Sequence, residues 1–193
     1  MVYQYFELHL GRQRATQQSL AKSVYGALGE KAVAVFAPLL GFASNQALVL
    51  LDGEAPADVV LKGAGVVSAQ RHRLTPTIRP EADAQPLAGG VYVHNWFTID
   101  ATGFDEFVKL SGDAWPDFET KFDARIFGLF AAEASPDDLQ QGQRRLLLMT
   151  RYRDLGEWQT SRDPTTEAMK IFARRRELTR VSLARACVLM PRS

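Results

Sequence analysis

The sequence predicts an α+β fold made of two tandem ferredoxin-like units, each with the order β-α-β-β-α-β, that close into a pseudo-dimeric α+β barrel. Three observations predict this fold. First, some short segments alternate apolar and polar residues, whereas others repeat apolar residues with a helical period. Second, the order of these segments occurs twice along the chain. Third, a segment rich in proline and glycine separates the two copies. The predicted boundaries are residues 1–76 for the first unit, 77–90 for a linker and 91–193 for the second unit.

The first copy begins with a strand over residues 2–10. Apolar Phe6 and Leu8 alternate there with Tyr3 and Tyr5, which is the period of a half-buried strand. Further elements are predicted as a helix at residues 16–29, strands at 31–36 and 47–51, a short helix at 55–63 and a strand at 66–75.

The second copy begins with a strand over residues 91–99, in which Tyr92, His94 and Trp96 share one face. Pro116 is expected to kink or split the following helix near Gly112, because proline removes a backbone donor. That helix is predicted at residues 102–121. Strands follow at 125–132 and 144–152, with a turn or loop between them at 137–142. A last helix starts at the Asp163-Pro164 cap and runs to 179, and a last strand covers 181–190.

Two such units carry helices on one sheet face only, so the other faces must cover each other. Packing them face to face would direct Tyr92, His94 and Trp96 into the space between the sheets, opposite Tyr3 and Tyr5. Barrels of this size are filled by side chains or hold one small ligand.

Composition excludes several protein classes. A hydrophobic content of 46% excludes a disordered chain, and the single cysteine, Cys187, excludes a disulfide scaffold. No apolar run approaches the ~20 residues of a membrane span, and the first residues lack the pattern of a signal peptide. A cytoplasmic location is therefore expected.

The net charge of +1 conceals a gradient along the chain. Residues 1–140 carry 11 basic and 17 acidic side chains, whereas residues 141–193 carry 12 and 5. Nucleic-acid binding is not favoured, because aromatic residues that could stack on bases are not interleaved with the basic ones. The cluster Arg174, Arg175, Arg176 and Arg180 is predicted to be a solvated helix end, where positive charge is favourable.

His94 and Tyr92 are the candidate catalytic residues. A neutral imidazole inside the barrel could transfer a proton or ligate haem iron, with Tyr92 as hydrogen-bond donor; the alternative is a structural histidine bonded to a tyrosine. Trp96, Tyr3 and Tyr5 are candidate ligand-binding residues.

Trp115 lies on the apolar row of the long helix. It is expected either to pack in the core or to form the wall of a ligand pocket between helix and sheet. His72, within Arg71-His72-Arg73, fits either an anion-binding strand or a charged edge strand that resists pairing.

The sequence lacks the motifs of several other kinds of site. No histidine pair has the spacing of metal ligands and Cys187 has no cysteine partner, so no metal site is predicted. Phosphate-binding glycine loops and a Gly-x-Ser-x-Gly nucleophile motif are absent from the sequence.

Three stretches resemble the NIPSNAP family. Residues 146–162, LLLMTRYRDLGEWQTSR, are similar to that family's third strand and following helix, and residues 115–119, WPDFE, with 127–130, FGLF, are similar to its first helix and second strand. The resemblance covers residues 91–190 and implies membership of the dimeric α+β barrel superfamily. That superfamily includes cofactor-free monooxygenases, haem-degrading enzymes, chlorite dismutases and isomerases, so the resemblance implies a fold more firmly than a reaction.

The sequence thus supports two hypotheses of different kinds. One is a NIPSNAP-like protein that binds a small apolar or aromatic ligand, acting as a cofactor-independent monooxygenase or binding haem through His94. The other is a non-enzymatic interaction module whose barrel is filled by Tyr3, Tyr5, Tyr92 and Trp96. A homo-oligomer formed through exposed helices or sheet edges is expected in either case.

Overall fold

A computed structural model describes residues 1–11, 17–63 and 65–192. The strands are β1 (Tyr3–Leu10), β2 (Ala32–Leu40), β3 (Gln46–Asp52), β4 (Val66–Pro76), β5 (Val91–Asp100), β6 (Ala124–Ala132), β7 (Gln143–Tyr152) and β8 (Thr179–Leu189). The helices are α1 (Gln17–Leu28), α2 (Asp58–Leu61), α3 (Phe104–Lys121), α4 (Pro136–Gln140), α5 (Leu155–Thr160) and α6 (Glu167–Glu177). The predicted start of the first helix at residue 16 lies outside the described residues.

The eight strands form one closed antiparallel barrel in the order β1-β3-β2-β8-β5-β7-β6-β4. The first four strands are adjacent in the order β4-β1-β3-β2, and the last four in the order β8-β5-β7-β6. Each half therefore places its first and third strands in the centre and its second and fourth strands at the edges. This is the strand order of a ferredoxin-like sheet, and the structure is an α+β fold with helices outside the barrel.

Two short ladders join the halves. Residues 74–76 of β4 pair with β6, and residues 186–189 of β8 pair with β2. The earlier parts of β4 and β8 pair only with β1 and β5, respectively, among the described strands. Arg71 and His72 therefore lie on a free strand edge, as the charged-edge interpretation of this segment predicts.

The barrel interior is filled by side chains from both halves. Its buried cluster contains Tyr3, Tyr5, Phe36, Leu48, Leu50, Leu74, Tyr92, Phe130, Leu147 and Met149. Residues of opposite parity on the same strands face outward and pack beneath helices. Phe6 and Leu8 pack with Leu20 of α1, whereas Phe97 packs with Phe107 of α3. The period-two alternation thus separates the two faces as the sequence predicts.

Polar contacts lie near both ends of the barrel. At one end the Tyr92 hydroxyl donates to the Leu87 carbonyl at 2.8 Å, which holds the segment before β5 against the barrel. At the other end the Arg185 guanidinium donates to both carboxylate oxygens of Glu7, at 2.9 and 2.6 Å. Both side chains of this pair are largely buried, so each charge depends on the other for compensation.

The structure departs from three local predictions. Of the two effects predicted for Pro116, a kink or a split, the split near Gly112 does not occur, because α3 is continuous. Ala114, Trp115 and Phe118 around Pro116 are buried in the core, and this packing outweighs the lost backbone donor. The predicted turn at residues 137–142 contains α4, because Ser135 and Asp138 form a reciprocal capping box.

The last helix also begins later than predicted. Thr166, rather than Asp163, accepts from the backbone amide of Met169 and caps α6. Asp163 instead accepts from the backbone amide and the hydroxyl of Thr165 and stabilises the turn before the helix.

We predict that Glu7→Ala lowers the free energy of unfolding by about 3 kcal/mol or more, because it leaves the Arg185 charge buried without a partner. The double variant Glu7→Leu with Arg185→Met should recover most of this loss. Urea denaturation of the wild type, the single variant and the double variant measures both effects. A single variant within about 0.5 kcal/mol of the wild type would contradict the assigned role of the pair.

Candidate functional site

The polar centre of the barrel is a hydrogen-bonded row of Tyr5, His94 and Cys187. The Tyr5 hydroxyl lies 3.0 Å from His94 Nδ1, and Cys187 Sγ lies 3.5 Å from His94 Nε2 and 3.6 Å from the Tyr92 carbonyl oxygen. One proton assignment satisfies every contact: Tyr5 donates to Nδ1, Nε2–H donates to Sγ, and the thiol donates to the carbonyl. The row therefore fits a neutral imidazole.

Burial keeps this row uncharged. His94 is 0% exposed, and desolvation, aided by the positive charge of Arg185, lowers its pKa to about 3. Burial likewise raises the pKa of the Tyr5 hydroxyl and of the Cys187 thiol. The edge of the Phe36 ring, 4.7 Å from the imidazole between centroids, encloses His94 further. In this geometry His94 is a weak base walled off from a substrate.

The structure brings five of the six candidate residues together in the barrel. Tyr3 and Tyr92 are buried in the interior cluster with Tyr5, and Trp96 packs against that cluster. Trp96 also lies 4.9 Å from His72, between ring centroids, towards the Glu7–Arg185 end.

Trp115 is separate from that group. It is buried between α3 and the outer face of the sheet, and the Arg79 guanidinium lies 5.3 Å from its ring centroid. Trp115 therefore lies in the layer between helix and sheet, as its place on the apolar row of α3 predicts.

Open space lies on the outer face of the second half of the sheet. A cavity of about 300 Å³ separates β5, β7 and β8 from α3, α5 and α6. Its apolar lining consists of Val93, Phe97, Phe118, Ile126, Leu148, Trp158, Met169, Phe172 and Ala184. Its polar lining consists of Asn95, Thr150, Tyr152, Ser161, Arg162, Arg175, Arg176, Thr179 and Ser182. The exposed residues Ser182, Ala184, Arg162 and Arg176 mark its mouth.

Arg175 is the most deeply buried of the three arginines that line this cavity, with a relative exposure of 8%. Its guanidinium carbon lies 4.9, 5.1 and 4.4 Å from the ring centroids of Phe97, Phe107 and Phe172. Its Nη1 donates to Ser111 Oγ at 3.1 Å. Desolvation lowers the pKa of Arg175 to about 10, so it stays charged at neutral pH.

The prediction of a solvated Arg cluster is therefore wrong for Arg175. The sequence itself indicates that Arg175 is buried, because Arg175 lies on the same helical row as Ala168, Phe172 and Leu178. A charged residue on the apolar stripe of a helix indicates a buried site. Asn95 and Thr150 carried no such signal, since both are ordinary members of alternating strands.

The residues of the cavity do not fit haem held by histidine. Haem iron takes His, Cys, Met or Tyr as axial ligand. Among the described residues that line the cavity, Met169 and Tyr152 belong to these types, and none is a histidine or cysteine. Burial raises the pKa of Tyr152 there to about 12, which opposes a tyrosinate ligand. His94, the axial ligand considered from the sequence, has both ring nitrogens engaged within the filled barrel.

Within the described ranges, no group of three or more His, Cys, Asp or Glu side chains could hold a metal ion. No helix among those ranges is long and apolar enough to span a bilayer.

Comparison with solved structures identifies relatives in fold. A candidate monooxygenase from Fusobacterium nucleatum superposes with a TM-score of 0.64 at 7% identity, covering 98% of this chain and 92% of its own. An anthrone oxidase-like protein gives a TM-score of 0.64 at 12% identity, with coverages of 98% and 91%. A ferredoxin-fold protein from Listeria monocytogenes, related to antibiotic biosynthesis monooxygenases, gives 0.51 at 11% identity, with coverages of 98% and 95%.

These likenesses establish the ferredoxin-like α+β barrel fold. No protein-family model and no curated protein matches the sequence. The NIPSNAP resemblance therefore stays a prediction.

We predict that stability falls as the pH is lowered from 6.5, because His94 must charge in the unfolded chain but stays neutral in the folded one. Its pKa falls from 6.5 in the unfolded chain to about 3 in the folded chain, so the unfolded state binds the extra proton below pH 6.5. The expected loss from this group between pH 6.5 and about pH 5 is roughly 1.5 kcal/mol.

Urea denaturation across this pH range measures the effect. His94→Gln should remove this part of the pH dependence, whereas the control variant His9→Gln, at an exposed residue, should keep it. Parallel pH profiles for the wild type and His94→Gln would contradict the prediction.

Proposed function

We propose that this protein binds a small, mostly apolar or aromatic molecule in the cavity between the outer sheet face and α3, α5 and α6. One observation carries the proposal: a space of about 300 Å³ is walled by Phe97, Phe118, Phe172 and Trp158 and contains a few polar groups. This combination of apolar walls with convergent polar groups is typical of small-molecule sites, and the volume lies at the lower end of their range.

Monooxygenase activity on the bound molecule is the second candidate function, supported by the description of the Fusobacterium neighbour. Cofactor-free oxygenation requires removal of a proton from the substrate. Over the ranges that the structure describes, the lining of the cavity includes no Asp, Glu, His or Lys, so none of those side chains is a conventional base there. The activity would therefore be restricted to substrates that lose a proton readily to water.

We further propose that the chain is a tandem of two ferredoxin-like units, with residues 1–76 and 91–193 joined by the linker 77–90, in a NIPSNAP-like pseudo-dimeric barrel. The matching strand orders β4-β1-β3-β2 and β8-β5-β7-β6 support the duplication. The free edges of β4 and β8, with exposed Val67, Val181 and Leu183, support association into a homo-oligomer. A filled barrel supports a structural role for the interior residues, including His94 and Tyr92.

We predict that the neutral aromatic probe N-phenyl-1-naphthylamine binds the protein with an increase in fluorescence. Ala184→Trp should weaken this binding about tenfold, because an indole at the exposed mouth occupies the cavity. The matched control is Ala69→Trp, at an exposed position on β4 that is likewise outward-facing but outside the cavity, and it should bind like the wild type. Equal binding by all three proteins would overturn the proposed site.

For the second candidate, we predict that the wild type accelerates oxygen uptake by anthrone above the buffer rate, and that Ala184→Trp loses this acceleration while Ala69→Trp keeps it. An oxygen electrode measures the rates. Uptake equal to the buffer rate for the wild type would reject oxygenation of this substrate and leave probe binding unaffected.

A further inference from the structure

We infer that the cavity selects aromatic molecules that carry a carboxylate, with Arg175 as the residue that binds the negative group. This inference rests on the proposed function and names the class of ligand. It depends on three features of the site: the hydrogen bonds that Arg175 lacks, the charges that surround it, and the shape of the apolar walls.

The first feature is the incomplete hydrogen bonding of Arg175. A guanidinium carries N–H donors on all three nitrogens, yet within the described part of the chain its one hydrogen bond goes from Nη1 to Ser111 Oγ. The Ser111 hydroxyl itself donates to the Phe107 carbonyl oxygen at 2.8 Å, which fixes its orientation as an acceptor. Donors on the guanidinium therefore remain for a group in the cavity.

The second feature is a positive charge without a negative partner. No Asp or Glu among the described residues forms an ion pair with Arg175, and none lines the cavity. Two other buried or half-buried arginines do have such partners: Arg185 pairs with Glu7, and Arg145 with Asp138. Because burying an unpaired charge is costly, a carboxylate in the cavity would supply the missing partner.

The arginines at the mouth add to this potential. Arg162, stacked 5.1 Å from the Trp158 ring centroid, and the exposed Arg176 both line the opening. Three arginines and, among the described residues, no acidic side chain thus line the cavity, and its low-dielectric walls strengthen their field inside it.

The third feature is the shape of the site. Phe97 and Phe172 flank the Arg175 guanidinium, while Phe118 and Trp158 line other parts of the cavity. A flat aromatic body can pack against these walls while its carboxylate accepts paired hydrogen bonds from the planar guanidinium. A cavity of about 300 Å³ accommodates a body of one or two fused rings.

A purely structural role for Arg175 predicts a different outcome. In that case the three phenylalanine rings alone hold the cation by cation–π contacts, and the charge of a ligand does not matter. The two roles are distinguished by a pair of ligands with the same shape and different charge.

The experiment compares naphthalene-2-carboxylate with the neutral naphthalene-2-carboxamide by equilibrium dialysis at low salt and neutral pH. We expect the wild type to bind the carboxylate about tenfold more tightly than the amide. Arg175→Met, which keeps an apolar stem, should abolish this preference while still binding the amide. Arg174→Met, which removes an exposed charge from the same helix, should keep the preference.

The outcomes separate this inference from the proposed function. Equal affinity of the wild type for the two compounds overturns anion selection, and a preference that survives in Arg175→Met overturns the assignment of that selection to Arg175. Either result leaves the ligand site standing. Binding of neither compound overturns both. The wild-type ratio requires no variant to fold, and Arg175→Lys, which keeps the charge but loses the planar fork, should show a reduced preference for the carboxylate.

Discussion

Closure of the barrel around side chains from both halves is the constraint on which the rest of the structure depends. The two ladders that join the halves are short, at residues 74–76 of β4 and 186–189 of β8. Backbone pairing alone therefore contributes little to closure, and the shared interior must stabilise it. The contact from Tyr5 to His94 connects residues 89 positions apart, and the Glu7–Arg185 pair connects β1 to β8.

A filled barrel determines where a ligand can bind. Aromatic rings of Tyr3, Phe36, Tyr92 and Phe130 occupy the interior. His94, the candidate catalytic histidine, therefore packs against other side chains and forms hydrogen bonds there. Over β5, β7 and β8 the helices α3, α5 and α6 leave a cavity, and the proposed ligand site therefore lies on the outer face of the sheet.

The two polar regions differ in chemistry because they differ in what compensates their charge. Inside the barrel, Glu7 neutralises Arg185 and the Tyr5–His94–Cys187 row is uncharged. In the outer cavity, Arg175 is charged and no acidic side chain in the described part of the chain neutralises it. The charges inside the barrel compensate each other and stabilise the fold. The charge of Arg175 in the outer cavity lacks a negative partner, which a bound carboxylate would supply.

The sequence by itself determined the order of the eight strands and the faces on which the residues of β1 and β5 lie. Both follow from local periodicity, which is why Tyr92, His94 and Trp96 were expected opposite Tyr3 and Tyr5. Only the tertiary structure decided that the barrel is filled, that α3 continues through Pro116 and that Arg175 is buried beside open space. These properties depend on how side chains distant in sequence fill a shared volume, and local periodicity carries no information about that volume.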